Sequence, residues 1–216
     1  MTGKRLRSIT DAGAIRRLKR GARELAALDP DIARILKEGG PLEIELRPQG
    51  FATLARAILA QQVSTKAAAT MWSRIEANTG AAVTPEALLE FGYDGLRGIG
   101  LTGRKSEYAL GIAEATVTGD LDFADLARQP DEDAIQTLTA LRGIGRWTAE
   151  VYLLLSLGRP NIWPAADLAL IVAAGQIKGW ETRPTIPEAA DLAEAWRPWR
   201  GSAALLLWRH YVKTPG

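Results

Sequence analysis

The chain has 216 residues, enough to bury a substantial core in one large domain or two closely packed lobes. It has no cysteine and a single histidine, His210, which excludes disulfides, thiolate metal sites, iron–sulfur clusters and a thiol nucleophile and leaves no ligand-spaced metal cluster. The net charge is +2, but residues 1–23 carry eight basic residues (Lys4, Arg5, Arg7, Arg16, Arg17, Lys19, Arg20, Arg23) against Asp11, so the remaining 193 residues sum to −5 and bulk charge does not establish nucleic-acid binding.

The elements read as helix nearly throughout. Residues 14–36 form a helical pattern broken near Asp29-Pro30, followed by the strand-like alternation of Leu42, Glu43, Ile44, Glu45 and Leu46. A long periodic pattern through Leu54, Ile58, Leu59, Val63, Met71 and Ile75 predicts a helix over 51–78. Further helices are predicted at 85–89, 105–115, 123–127, 131–140, 146–157, 165–177, 186–196 and 202–211, with Gly or Pro between them. The expected class is all-α with at most one short extended element. Runs such as 151–157 are too short to span a bilayer, and no long apolar segment follows the basic N-terminus. A soluble cytoplasmic protein without a membrane partner is expected, nucleoid-associated if bacterial. The basic segment can attract phosphate or simply form a solvated helix face.

One pentapeptide occurs twice: Leu96-Arg97-Gly98-Ile99-Gly100 and Leu141-Arg142-Gly143-Ile144-Gly145. The first copy runs into a second breaker, Gly103, and reads as a helix connection. The second leads directly into Arg146, Trp147, Thr148 and Ala149, delivering the chain to a helix N-terminus whose backbone N–H groups lack intrahelical partners. A phosphate can satisfy those donors, with Gly143 and Gly145 admitting the anion and Thr148 adding a hydroxyl, although an ordinary helix-helix turn has the same pattern.

The Leu-x-Gly-Ile-Gly-x-x-Thr-Ala stretch, with Asp167 downstream, resembles the helix-hairpin-helix (HhH-GPD) DNA glycosylase superfamily. Four segments agree with its AlkA-like 3-methyladenine glycosylase branch: 56–64, 141–149, 163–168, and 196–200 leading to Trp208. The resemblance covers roughly residues 50–210. It implies a two-lobed all-α fold with an interlobe active-site cleft: residues 1–49 packing with the C-terminal lobe, 50–158 forming a barrel-like lobe with the helix-hairpin-helix near 136–157, and 159–216 carrying the catalytic acid. The fifty residues before Phe51 leave too little room for the sheet domain of larger members, so a compact form is expected.

What the resemblance implies chemically is base release. A carboxylate beside the sugar stabilises the oxocarbenium charge that develops as an alkylated purine departs, and Asp167 stands at the matching position. Without the family match, Asp167 also reads as a plain helix-capping Asp. Ala166 leaves no second acid beside it. Bifunctional relatives place a Schiff-base lysine where this chain has Trp147, so water is the expected nucleophile, with no lyase step and no catalytic cofactor. Gln62 matches the family's intercalating wedge, which fills the gap left by base flipping; a buried polar cap is its alternative. Trp147 and Trp208 match aromatic pocket positions where an indole face would stack on a cationic base such as 3-methyladenine or 7-methylguanine. Tyr152 is a further pocket candidate, while Trp72, Trp163, Trp180, Trp196 and Trp199 are read as packing. The resemblance also implies a structural monovalent cation held by the Thr139, Leu141 and Ile144 carbonyls. The expected partner is double-stranded DNA with damaged bases, bound by a monomer. The alternatives are a noncatalytic damaged-DNA-binding hairpin protein, or a glycosylase for uracil, hypoxanthine or oxidised guanine.

Overall fold

The computed structural model describes residues 9–80 and 82–213; Lys4, Arg5 and Arg7 of the basic segment lie outside them. Among the described residues the chain forms twelve helices and no strand. It divides into two compact units, residues 47–152 and residues 1–46 joined by 153–216.

The first segment of the discontinuous unit is α1 (Ile9–Leu28), whose Leu18 and Leu25 are buried while Arg16, Arg17, Arg20 and Arg23 are exposed. Asp29 stops it and starts α2 (Pro30–Gly39): its carboxylate accepts from the Asp31 and Ile32 amides, and Pro30 occupies the first turn. The same carboxylate accepts from Lys178 Nζ and Trp196 Nε1, both at 2.9 Å. Burial opposes the Asp29 charge, but the bonds from Trp196, Lys178 and Ile32 outweigh it and hold the carboxyl below its ordinary range.

After α2 the expected strand does not form. Leu42 is buried and Glu43 and Glu45 are exposed, so the alternation is real, but no second extended segment among the described residues offers a ladder. The unit is completed by α10 (Leu168–Lys178), α11 (Ile186–Glu194) and α12 (Arg200–Lys213). Helix α12 packs on α1, α2 and α10 through fully buried Ala203, Ala204, Leu206 and Leu207. Of the tryptophans assigned to packing, Trp163 and Trp196 meet edge to face at 5.6 Å, whereas Trp180 is 42% exposed and is not core.

Arg209 on α12 closes the end of α2. Its Nη1 donates to the Gly39, Gly40 and Pro41 carbonyls and its Nη2 to Ile35. Arg209→Ala leaves these acceptors without a cation; a loss of about 2 kcal/mol is expected. Thermal unfolding should show a fall in Tm of about 4–8 °C for a chain of this size, and an unchanged Tm would assign the cap no weight.

In the continuous unit the predicted helix 51–78 is two helices, α3 (Phe51–Leu59) and α4 (Thr65–Thr79). Residues 60–64 form a loop between them because Gln62 takes φ +55° and Ser64 caps α4 by accepting from the Ala67 amide. Helix α5 (Pro85–Gly98) runs nine residues past its expected end, bending at Gly92, and packs on α6 (Gly103–Thr118), which Thr102 caps. Short α7 (Phe123–Leu126) and α8 (Asp131–Thr139) lead to the hairpin turn and α9 (Arg146–Leu155). The expected lobe limits of 50 and 158 fall at 47 and 152, the latter inside α9, whose Leu154 already packs beside Gly201 of α12.

Candidate nucleic-acid interface and catalytic carboxylate

The two copies of Leu-Arg-Gly-Ile-Gly fold differently. In the first, Gly98 ends α5 and the fifth residue, Gly100, takes φ +96°; in the second the third residue, Gly143, takes φ +91°. A Cβ at Gly143 would also run into the Tyr108 ring, so that position is closed to other residues. Gly145 is different: it has no left-handed φ and open space around its Cα. Between them Ile144 is buried and anchors the turn. Arg146 opens α9 and braces it to α8, with Nη1 and Nη2 donating to Glu132 at 2.8 and 2.7 Å and Nε to Glu150 at 3.0 Å. The hydrogen bonds from Arg146 hold the Glu132 carboxyl below its ordinary range.

Both turns line one open groove of about 1260 Å³ within residues 47–152. Its wall includes 139–145, the loop residues Gln61, Gln62 and Val63, and the cations Lys66, Arg74, Arg104, Lys105 and Arg142, and no acidic residue. That asymmetry decides its chemistry, because residues 47–152 hold ten basic against thirteen acidic residues overall. A lining whose charged residues are all cations, in an otherwise acidic unit, suits a phosphodiester backbone. Lys66, Arg104 and Arg142 are exposed and form no ion pair among the described residues.

Gln62 is exposed at the tip of the loop rather than buried as a helix cap. Its left-handed backbone costs a residue with a Cβ about 1–2 kcal/mol. Thr148 departs from its expected role. It is buried at 5%, with Oγ1 facing Gln61 Nε2 at 3.4 Å, so it supports the turn from within and does not reach a phosphate. Tyr152 is likewise core. It is 3% exposed, its ring lies 6.2 Å from Phe123, and its hydroxyl accepts from the Gly50 amide at 2.9 Å. Burial pushes its phenol up to about 12, the Gly50 bond opposing only in part. Trp147, by contrast, is 42% exposed on the first turn of α9.

The carboxylate belongs to the other unit. Helix α10 starts three residues later than predicted, so Pro164 lies in the preceding turn and Asp167 is the N-cap itself, with φ −77° and ψ 115°. Its Oδ1 accepts from the Leu170 amide and from Trp208 Nε1–H, each at 3.0 Å. The capping role that sequence chemistry alone suggested is therefore real. It also fixes the rotamer of a carboxylate that is only 9% exposed and places an indole beside it. Among the described residues no group of three or more His, Cys, Asp or Glu is placed to hold a metal ion, and no helix is long and apolar enough to cross a membrane.

Residues 55–198, two thirds of the chain, match the HhH-GPD superfamily of base excision DNA repair proteins. The chain belongs to that superfamily. It is 32% identical over 191 residues to a DNA-3-methyladenine glycosylase of Schizosaccharomyces pombe, the match covering 86% of this chain and 84% of the relative. A solved 3-methyladenine DNA glycosylase from the same yeast, in complex with abasic DNA, superposes with TM-score 0.80 and 30% identity, covering 89% and 97% of the two chains. A DNA-3-methyladenine glycosidase of Bacillus halodurans gives 0.82 and 31%, covering 90% and 89%.

In this HhH-GPD protein the groove residues that the sequence reading missed include Gln61, Lys66, Arg74, Arg104, Lys105 and Tyr108. Gln61 Nε2 donates to the Gly143 carbonyl at 3.0 Å, and Arg74 Nη1 donates to the Ile99 carbonyl at 2.9 Å. Lys105 Nζ donates to the Leu59 carbonyl at 2.6 Å, and burial lowers its pKa. All three reach backbone acceptors far away in sequence, which periodicity does not reveal. The only available signal was the doubled glutamine.

Proposed function

We propose that this chain is a monofunctional DNA-3-methyladenine glycosylase that acts as a monomer on damaged duplex DNA. The observation that carries the reading is Asp167, a buried carboxylate held at a helix N-terminus with the Trp208 N–H on Oδ1, in a chain whose relatives named above are 3-methyladenine glycosylases. The cationic groove docks the backbone, and Gln62 enters the stack in place of the extruded nucleotide. As the glycosidic bond breaks, its electron pair leaves with the alkylated purine, which departs as a neutral base. The positive charge left on the sugar is stabilised by the Asp167 carboxylate; water then adds to the anomeric carbon and gives up its proton to that carboxylate. Alkylation at N3 or N7 makes the purine cationic, so it is a better leaving group and is attracted to indole faces, the role assigned to Trp208 and Trp147. Incubating the protein with duplexes carrying one defined lesion each should release 3-methyladenine and 7-methylguanine. Release of only uracil, hypoxanthine or oxidised guanine would replace the substrate class, and release of nothing would leave a binding protein.

Chemistry at Trp147 separates this enzyme from a lyase. An indole forms no Schiff base with the sugar, so borohydride added during turnover should trap no protein–DNA adduct. A trapped adduct in the wild-type protein would refute the monofunctional assignment. A monovalent cation is a further part of the proposal. Among the described residues the Thr139 and Ile144 carbonyls accept no hydrogen bond outside the helical ladders, and the Leu141 carbonyl accepts only from Ile144 N–H there, so the three oxygens fit such an ion. It would stiffen the turn and would supply no reacting group.

A further inference from the structure

We propose that Gln61 is a positioning residue that locks the Gln62 loop to the hairpin turn, so that base extrusion depends on it while duplex docking does not. The inference rests on the glycosylase reading. The Gln61 amide donates to the Gly143 carbonyl at 3.0 Å and lies 3.4 Å from Thr148 Oγ1, joining residues 60–64 to the phosphate-facing turn and to the first turn of α9. Where the chain enters the loop, Lys105 Nζ holds the carbonyl of Leu59, the last residue of α3, at 2.6 Å. Immediately after these two anchors Gln62 adopts φ +55°, which an exposed loop residue keeps only if its surroundings fix it.

The consequence is mechanical. Phosphate held at the hairpin defines where the backbone lies, and the Gln61 bond transmits that position to the tip that must occupy the gap in the stack. Without it the turn still offers its backbone donors and the groove its cations, but the tip is free to relax away from the left-handed conformation. The docked duplex would then lose its wedge. Gln61 touches no substrate in this scheme; its side chain is committed to Gly143 and Thr148.

Gln61→Met keeps the length and removes the donor, and Gln61→Ala provides a second variant if the first packs poorly. Extrusion is read without chemistry by the fluorescence of 2-aminopurine beside a lesion analogue that cannot be cleaved. The expected result is a fluorescence rise reduced about tenfold or more, as for other small losses of positioning. Affinity for undamaged duplex should stay within about twofold. Single-turnover release from a paired alkylpurine should fall in parallel, and less so when the lesion lies opposite an abasic nucleotide, where no pair opposes extrusion. A wild-type fluorescence rise in both variants, or a parallel fall in duplex affinity and extrusion, overturns the proposal. Failure of the glycosylase reading looks different: wild-type protein would extrude the base and release none.

Discussion

Asp167→Asn is expected to reduce single-turnover base release by at least two orders of magnitude, roughly 2.7 kcal/mol in the barrier, while leaving affinity for abasic-analogue DNA nearly unchanged. The structure makes Asn the informative replacement. An Asn side-chain carbonyl still caps α10 at the Leu170 amide and still accepts from Trp208 Nε1, so helix and rotamer survive while the charge is lost. Asp167→Ala would remove cap and charge together and would cost about 1 kcal/mol of stability as well. If Asp167→Asn turns over within a fewfold of wild type, the carboxylate is a cap and nothing more.

Gly145→Asp should weaken binding to damaged and undamaged duplexes alike, by about tenfold to a hundredfold at one fixed salt concentration. The geometry removes the usual objection to a glycine substitution. Gly145 needs no left-handed φ, and a Cβ there meets nothing within 4 Å, so the turn keeps its shape and gains a carboxylate in a groove whose charged lining residues are all cations. Lesion preference and the single-turnover rate at saturating protein should be retained. The same change at Gly143 would be uninterpretable, because φ +91° and the Tyr108 ring would both be violated. Wild-type affinity in a folded Gly145→Asp protein would reduce the hairpin to a helix connection.

The sequence by itself determined the helical class, the break at Asp29-Pro30, the hairpin that leads straight into α9, and the family. These depend on local signals: apolar periodicity, a capping Asp before Pro, and two glycines beside a helix start. Only the tertiary structure decided what nearby residues of similar chemistry do. Gln61 and Gln62 are adjacent, yet one is tied to Gly143 while the other stands exposed with φ +55°. Two identical pentapeptides place their left-handed glycine at different positions, because one follows a helix that runs into its third residue and the other rests on Tyr108. Trp147 and Tyr152 lie on one helix, five residues apart, and α9 exposes the first and buries the second against Phe123. Asp167 reads the same as a cap or as a catalyst until Trp208, forty-one residues later, is seen on its carboxylate. Contacts at such separations are set by how helices pack, and packing leaves no period in the chain.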